Sequence, residues 1–234
     1  MCPLRKRPPG RQAEGIVNIG VFDSGAGGKS VAIAVERAFP EHRVIYVDDR
    51  ENVPYGDKTP DQLLALVEPI LRRMQRDMKC DVIVVACNTV TTTIITQLRD
   101  RIAVPLVAVE PMVKTAASLT KTKTIAVCAT PATLGSPRYN ELKESYASDI
   151  QVLEPDCSDW SRMIEASELN HEQIEDRIRA VCDAGADVIV LGCTHYHWIQ
   201  EEIEETASEY PDVQVIQPEP AIIRRLATVL EQLS

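Results

Sequence analysis

The sequence predicts an α/β protein of two pseudo-symmetric lobes, each with a mainly parallel sheet flanked by helices, and a cleft between them. Three observations carry that expectation. Short β-branched runs alternate with segments of helical period along the chain, the pattern of parallel strands joined by crossover helices. The hydrophobic content of 44% is dominated by aliphatic residues, with only 4% aromatic, as in strands buried on both faces. Third, the chain matches itself at one offset. Asp81 to Asn88 (DVIVVACN) aligns with Asp187 to Thr194 (DVIVLGCT), so that Cys87 falls on Cys193, 106 residues later. The same shift places Ile19-Gly20-Val21 on Ile125-Ala126-Val127, Val44 to Asp48 on Ile150 to Glu154, and Pro105 on Pro211. That period far exceeds solenoid repeats and implies two related lobes.

Taken in order, strands are expected near 17–22, 43–48, 82–86, 106–109, 124–128, 150–153, 187–191 and 213–216. Helices are expected near 29–38, 60–78, 91–101, 112–119, 133–147, 171–184, 197–208 and 219–233. The second of these has a clear start, with Thr59 placed to cap it and Pro60 in its first turn. Residues 1–15, basic and Pro-rich, are expected to form a disordered tail. Residues 16–111 plus 213–234 should build the first lobe and 112–212 the second.

Composition excludes several classes. A net charge of −10 over 234 residues offers no basic stripe for nucleic acid. No apolar run approaches the ~18 residues that span a bilayer, and the first fifteen residues lack the apolar core of a secretory signal. Seven cysteines (2, 80, 87, 128, 157, 182 and 193) include no CxxC pair, so neither a zinc ribbon nor a thioredoxin-type redox pair is indicated. Free thiols in a reducing cytoplasm are expected.

Two of those thiols stand out. Cys87 in VVACNTVTTT and Cys193 in VLGCTHYHW each follow an apolar strand and precede a helix, the end of a parallel sheet at which ligands bind. Polar residues follow both, Asn88-Thr89 and Thr194-His195, where a core strand would stay apolar. A helix N-terminus lowers a thiol pKa, and histidine next to Cys193 is a candidate for tuning it. By contrast, Cys80, Cys128 and Cys182 fit ordinary apolar packing, and Cys157 is ambiguous between packing and a role at the site. The loop Asp23 to Ser30 (DSGAGGKS) ends like a phosphate-binding loop, but Asp23 stands where the first glycine belongs and would repel a phosphate. Asp23 instead reads as an acid/base partner or ammonium ligand, and Ser24 with nearby backbone N–H groups as carboxylate donors. The loop Asp49 to Gly56 should bring Tyr55 to the same end of the sheet.

These residues resemble the glutamate racemase family, within the aspartate/glutamate racemase superfamily. The resemblance runs from about residue 17 onward, through GVFDSGAGG (20–28), DRENVPYG (49–56), ACNT (86–89), VEP (109–111), ATPATLGSPRY (129–139) and LGCTHY (191–196). It implies cofactor-free, two-base racemisation of glutamate for peptidoglycan synthesis. Cys87 would remove the α-proton of D-glutamate, Cys193 that of L-glutamate, and Asp23 and His195 would assist the thiols. It further implies substrate contacts from Asp23, Ser24, Tyr55, Gly56, Asn88, Thr89, Thr194 and His195, and a possible acidic helper at Glu165. A homodimer acting on a small amino acid, with no nucleic acid or membrane partner, is expected. The alternatives are a related racemase or isomerase acting on aspartate or a hydantoin, and a catalytically weak binding protein on the same scaffold. Departures from the family pattern are Asp49-Arg50-Glu51-Asn52, the VTTT run at 90–93 and His197-Trp198.

Overall fold

The computed structural model describes residues 15–233. The expected tail, 1–15, lies outside the described residues apart from Gly15. Eight strands form two four-stranded sheets, in which every strand pair is parallel. The first sheet holds β1 (Asn18–Asp23), β2 (Arg43–Asp48), β3 (Val82–Val85) and β4 (Leu106–Ala108) in the order β2-β1-β3-β4. The second holds β5 (Thr124–Cys128), β6 (Gln151–Leu153), β7 (Val188–Leu191) and β8 (Gln214–Ile216) in the order β6-β5-β7-β8. The strand orders are the same, as an internal duplication requires.

Register sharpens the repeat. Ile19 pairs with Val82 in the first sheet, and Ile125 with Val188 in the second, each residue shifted by the 106 that separates the two cysteines. Outer strands slip. Val152, not Ile150, takes the place of Val44, and Val215 takes the place of Leu106. The sequence matches Val44–Ile150 and Pro105–Pro211 are therefore not structural equivalences. Central strands are packed on both faces, which fixes their register, whereas outer strands adjust with their loops.

Helices in chain order are α1 (Gly28–Ala38), α2 (Pro60–Arg76), α3 (Asn88–Arg99), α4 (Val113–Leu119), α5 (Pro131–Leu134), α6 (Pro137–Tyr146), α7 (Trp160–Ala166), α8 (His171–Asp183), α9 (Gln200–Ala207) and α10 (Glu219–Leu233). Thr59 caps α2 through a reciprocal capping box with Gln62. The single helix expected at 133–147 is two, because Ser136 caps a new start with Pro137 in its first turn. Helix α3 begins three residues earlier than expected, so Cys87 is its N-cap and Asn88 and Thr89 lie in its first turn. Segment 194–199 is a 3-10 turn that leads into α9. Helix α7 was not expected at all. It is seven residues long, has no side-chain cap, and stops at Ser167 in the left-handed region at φ 57°.

Each sheet is covered on both faces by apolar side chains. Ile19, Val21, Val82 and Val84 pack under α1 and α10, and Ile83 and Val85 under α2 and α3. The second sheet repeats the arrangement with Ile125, Val127, Val188 and Val190 on one face and Ile189 and Leu191 on the other. Helix α10 thus returns to the first sheet, but β8 belongs to the second. The crossing falls between Ile216 and Glu219, later than the expected 213.

Candidate active site

The carboxyl ends of both sheets open on one cavity of about 360 Å³. Cys87 lies two residues beyond β3 and Cys193 two beyond β7, and both line this cavity. Ser24, Tyr55, Gly56, Asn88, Thr89, Thr194, His195 and Glu165 line it too. Of the residues singled out in the sequence, only Asp23 stands behind the wall. It is fully buried, with Oδ2 accepting from the Gly28 N–H at 2.7 Å and from the Thr194 hydroxyl at 3.1 Å. That position suits a charge acting on the thiols better than a direct contact with a ligand.

The two thiols have different surroundings. Cys87 is paired with the Ser24 hydroxyl at 3.4 Å. Burial first, and then the charge of Asp23, push its thiol up to about 12, while the Ser24 hydrogen bond and the Val90 N–H act in the lowering direction. The helix N-terminus therefore does not leave Cys87 with a depressed pKa, as its sequence position suggested: desolvation and a neighbouring carboxylate outweigh it. Cys193 has Ser161 Oγ at 3.6 Å and His195 Nδ1 at 3.7 Å. On the far side of the ring, His195 Nε2 meets Glu165 Oε1 at 2.7 Å. Burial alone would lower the His195 pKa, but the Cys193 contact and charge, Asp23 and Glu165 raise it to about 10. Glu165 is held below its ordinary value against the opposing effect of burial by the Ala26 N–H and by His195. Asp23 is raised by burial, with His195, the Gly28 and Ser24 N–H groups and Thr194 pulling the other way.

The glycine-rich loop is not a phosphate cradle. Its Ala26 N–H donates to Glu165 at 2.7 Å and its Gly28 N–H to Asp23 at 2.7 Å, so carboxylates already occupy both donors. These two N–H groups are therefore not free for a ligand carboxylate. Glycine is required at 27 by approach: a Cβ there would lie 2.5 Å from the His195 backbone nitrogen. Lobe joins lobe at this loop, and again where Thr89 Oγ1 meets Thr130 Oγ1 at 3.1 Å and Ser30 Oγ meets His197 Nδ1 at 2.9 Å.

What is left free points to a ligand. Both amide atoms of buried Asn88, which lines the cavity, have no partner among the described residues, and buried polar groups normally find one. Tyr55 is anchored by its hydroxyl donating to Asp49 at 2.6 Å. Among the described residues, no cluster of three His, Cys, Asp or Glu side chains is arranged to hold a metal ion. Cys157 resolves as core, buried beside Cys128 and Trp160. Sequence reasoning missed Thr130, Ser161 and Arg162, which line the same cavity. Thr130-Pro131 carries a legible cap-plus-proline signal, whereas Ser161 and Arg162 sit on the unexpected α7.

Relatives place this geometry. The sequence profile of Asp/Glu/Hydantoin racemases matches residues 28–226. The chain belongs to the Asp/Glu/Hydantoin racemase family. Within that family it is 37% identical, over 217 residues, to a glutamate racemase of Herpetosiphon aurantiacus, covering 91% of this chain and 84% of that one. Among solved family structures, Escherichia coli glutamate racemase in complex with L-glutamate and the activator UDP-MurNAc-Ala superposes with a TM-score of 0.84 at 29% identity, covering 92% of this chain and 83% of that one. Francisella tularensis glutamate racemase in complex with D-glutamate gives 0.74 at 26%, over 92% and 81%.

The coupling of His195 to Glu165 can be tested by Glu165→Gln, which keeps an acceptor for Ala26 and removes the charge. The histidine pKa is expected to fall from about 10. Folded His195 lies above its unfolded value of about 6.5, so its stabilisation is present in full below that pH and is lost as pH rises through about 10. Chemical denaturation from pH 6 to 10 should show a shallower decline in Glu165→Gln than in the parent. Parallel curves would break the assignment.

Proposed function

We propose that this chain is a glutamate racemase that interconverts L- and D-glutamate by a two-thiol, cofactor-free mechanism. The observation that carries the reading is the pair of equivalent cysteines, Cys87 and Cys193, at one cavity between the lobes. Cys193 as thiolate takes the α-proton of L-glutamate, and the Cys87 thiol delivers a proton to the opposite face. For D-glutamate the roles exchange. One thiolate and one thiol enter each turnover and one of each leave, so the thiols themselves balance the protons.

Each thiol has its own helper. Asp23, with its pKa raised, accepts the Cys87 proton when that thiol must ionise. His195, held by Glu165 and with its pKa raised to about 10, serves Cys193 as a cation that stabilises the thiolate. Removing a proton beside a carboxylate builds negative charge on an anionic group, so pre-aimed donors supply the offset. Asn88, with its amide unspent, and the hydroxyls of Ser24 and Thr89 fill that role; Thr194, whose hydroxyl donates to Asp23, lines the cavity beside them, and Tyr55 and Gly56 shape the entrance. The described cysteines are free thiols, which suits a reducing cytoplasm. D-glutamate of this origin serves bacterial peptidoglycan, and the active species is a homodimer.

The test is direct. Purified chain incubated with L-glutamate should drive the circular dichroism signal to zero, and in heavy water should replace the α-proton of both enantiomers with deuterium. An L-glutamate signal unchanged after hours, with no deuterium incorporated, would refute the reading.

A further inference from the structure

We propose that Arg162 is the specificity determinant of the cleft, the cation that receives the side-chain carboxylate of an acidic amino acid. The inference rests on the racemase reading and adds a residue to it. Arg162 is the only lysine or arginine lining the cavity among the described residues. It lies on α7 one residue after Ser161, whose hydroxyl is 3.6 Å from the Cys193 sulfur, and three before Glu165, whose carboxylate is 2.7 Å from His195. Residues three and four apart share a helix face, so this short helix turns Ser161, Arg162 and Glu165 toward one space.

Arg162 also has unspent charge. On a helix it would be expected to pair with the acids three residues away, Asp159 and Glu165, and both are taken. Asp159 holds Arg177 at 2.8 Å. Glu165 holds His195 at 2.7 Å and the Ala26 N–H at 2.7 Å. Other arginines of this lobe are satisfied: Arg138 pairs with Glu110 and Glu141, and Arg179 with Glu175 and Glu209. Arg162 has no ion pair or hydrogen bond among the described residues, and its side chain is exposed at the cavity mouth.

Charge balance gives this cation a purpose. A protein of net charge −10 repels a dicarboxylate at long range, and attraction must come from a local positive group. His195 is committed to Cys193 and Glu165. A guanidinium offers a planar fork that matches a carboxylate with two parallel hydrogen bonds, and a neutral side-chain amide gains less from it. Arg162 thereby separates glutamate from glutamine.

The experiment compares the parent with Arg162→Gln, Arg162→Lys and Asp57→Asn in deuterium exchange of glutamate and glutamine. In Arg162→Gln the glutamate KM should rise about tenfold, as for loss of one charged hydrogen-bonded contact, with kcat within about threefold of the parent. The preference for glutamate over glutamine should shrink to match, and Arg162→Lys should recover part of the KM. Asp57, an acid that lines the same cavity, controls for a simple latch: Asp57→Asn should not raise the glutamate KM. An unchanged KM in Arg162→Gln, a loss confined to kcat, or the same defect in Asp57→Asn overturns the inference while leaving the racemase intact. Absence of exchange in the parent overturns the racemase reading itself.

Discussion

Serine in place of Cys87 or Cys193 is expected to lower the racemisation rate by about 10³-fold or more, since a positioned acid/base group contributes roughly 10²–10⁴-fold. Loss of inversion should not mean loss of all chemistry. In Cys193→Ser the Cys87 thiolate still faces the α-proton of D-glutamate, so D-glutamate should exchange with heavy water and remain D-glutamate. Cys87→Ser should show the mirror result with L-glutamate. Proton NMR of the α-position, read beside polarimetry, separates exchange from inversion. If either variant racemises at the parent's rate, the two-thiol mechanism is wrong. The variants should fold, because serine is smaller than cysteine and each site already holds a polar neighbour, Ser24 beside Cys87 and Ser161 beside Cys193.

The second large effect is expected at a glycine that carries no side chain into the cavity but packs against the backbone just after Cys193. In Gly27→Ala the new methyl would lie 2.5 Å from the His195 nitrogen, 2.6 Å from the Thr194 carbonyl carbon and 2.7 Å from the Thr194 hydroxyl. The first two are backbone, so the strand-end loop after β7 must shift. Overpacking of this kind costs about 1–3 kcal/mol, and a misplacement near 1 Å can cost about 10²-fold in rate. Gly27 itself has ordinary helical angles, φ −58° and ψ −41°, so backbone strain contributes nothing and the whole effect comes from the lobe contact. Thermal unfolding by circular dichroism should show a lower midpoint, and kcat/KM should fall about 10²-fold. Full activity in Gly27→Ala would mean that the lobes tolerate separation at this point.

Local chemistry explains which features the sequence disclosed. Central strands are apolar throughout, and their repeat at 106 residues survived because β1, β3, β5 and β7 cannot slip without exposing a packed face. Cys87 and Cys193 were legible for the same reason: a thiol followed by polar residues breaks an apolar strand at the sheet's binding end. Arg162 and Ser161 were not, because α7 is too short for helical period to show and ends without a glycine. The high pKa of Cys87 was equally hidden. Its causes are burial first and then the charge of Asp23, distant in sequence from Cys87 and brought near by the pairing of β1 with β3. Helix α3 starting at Asn88 follows from Cys87 acting as N-cap, a position that residue identity alone does not favour.

The unequal surroundings of the thiols, Asp23 beside one and a histidine–glutamate pair beside the other, meet a thermodynamic limit. Mirror-image amino acids have identical free energies in water, so the equilibrium constant is one and kcat/KM must be equal in both directions. Any advantage that one sulfur enjoys is therefore invisible in that ratio. It must surface as kcat and KM rising or falling together for one enantiomer, which makes saturation kinetics, run from each hand of the substrate, the place where the lopsidedness of this duplicated fold is written.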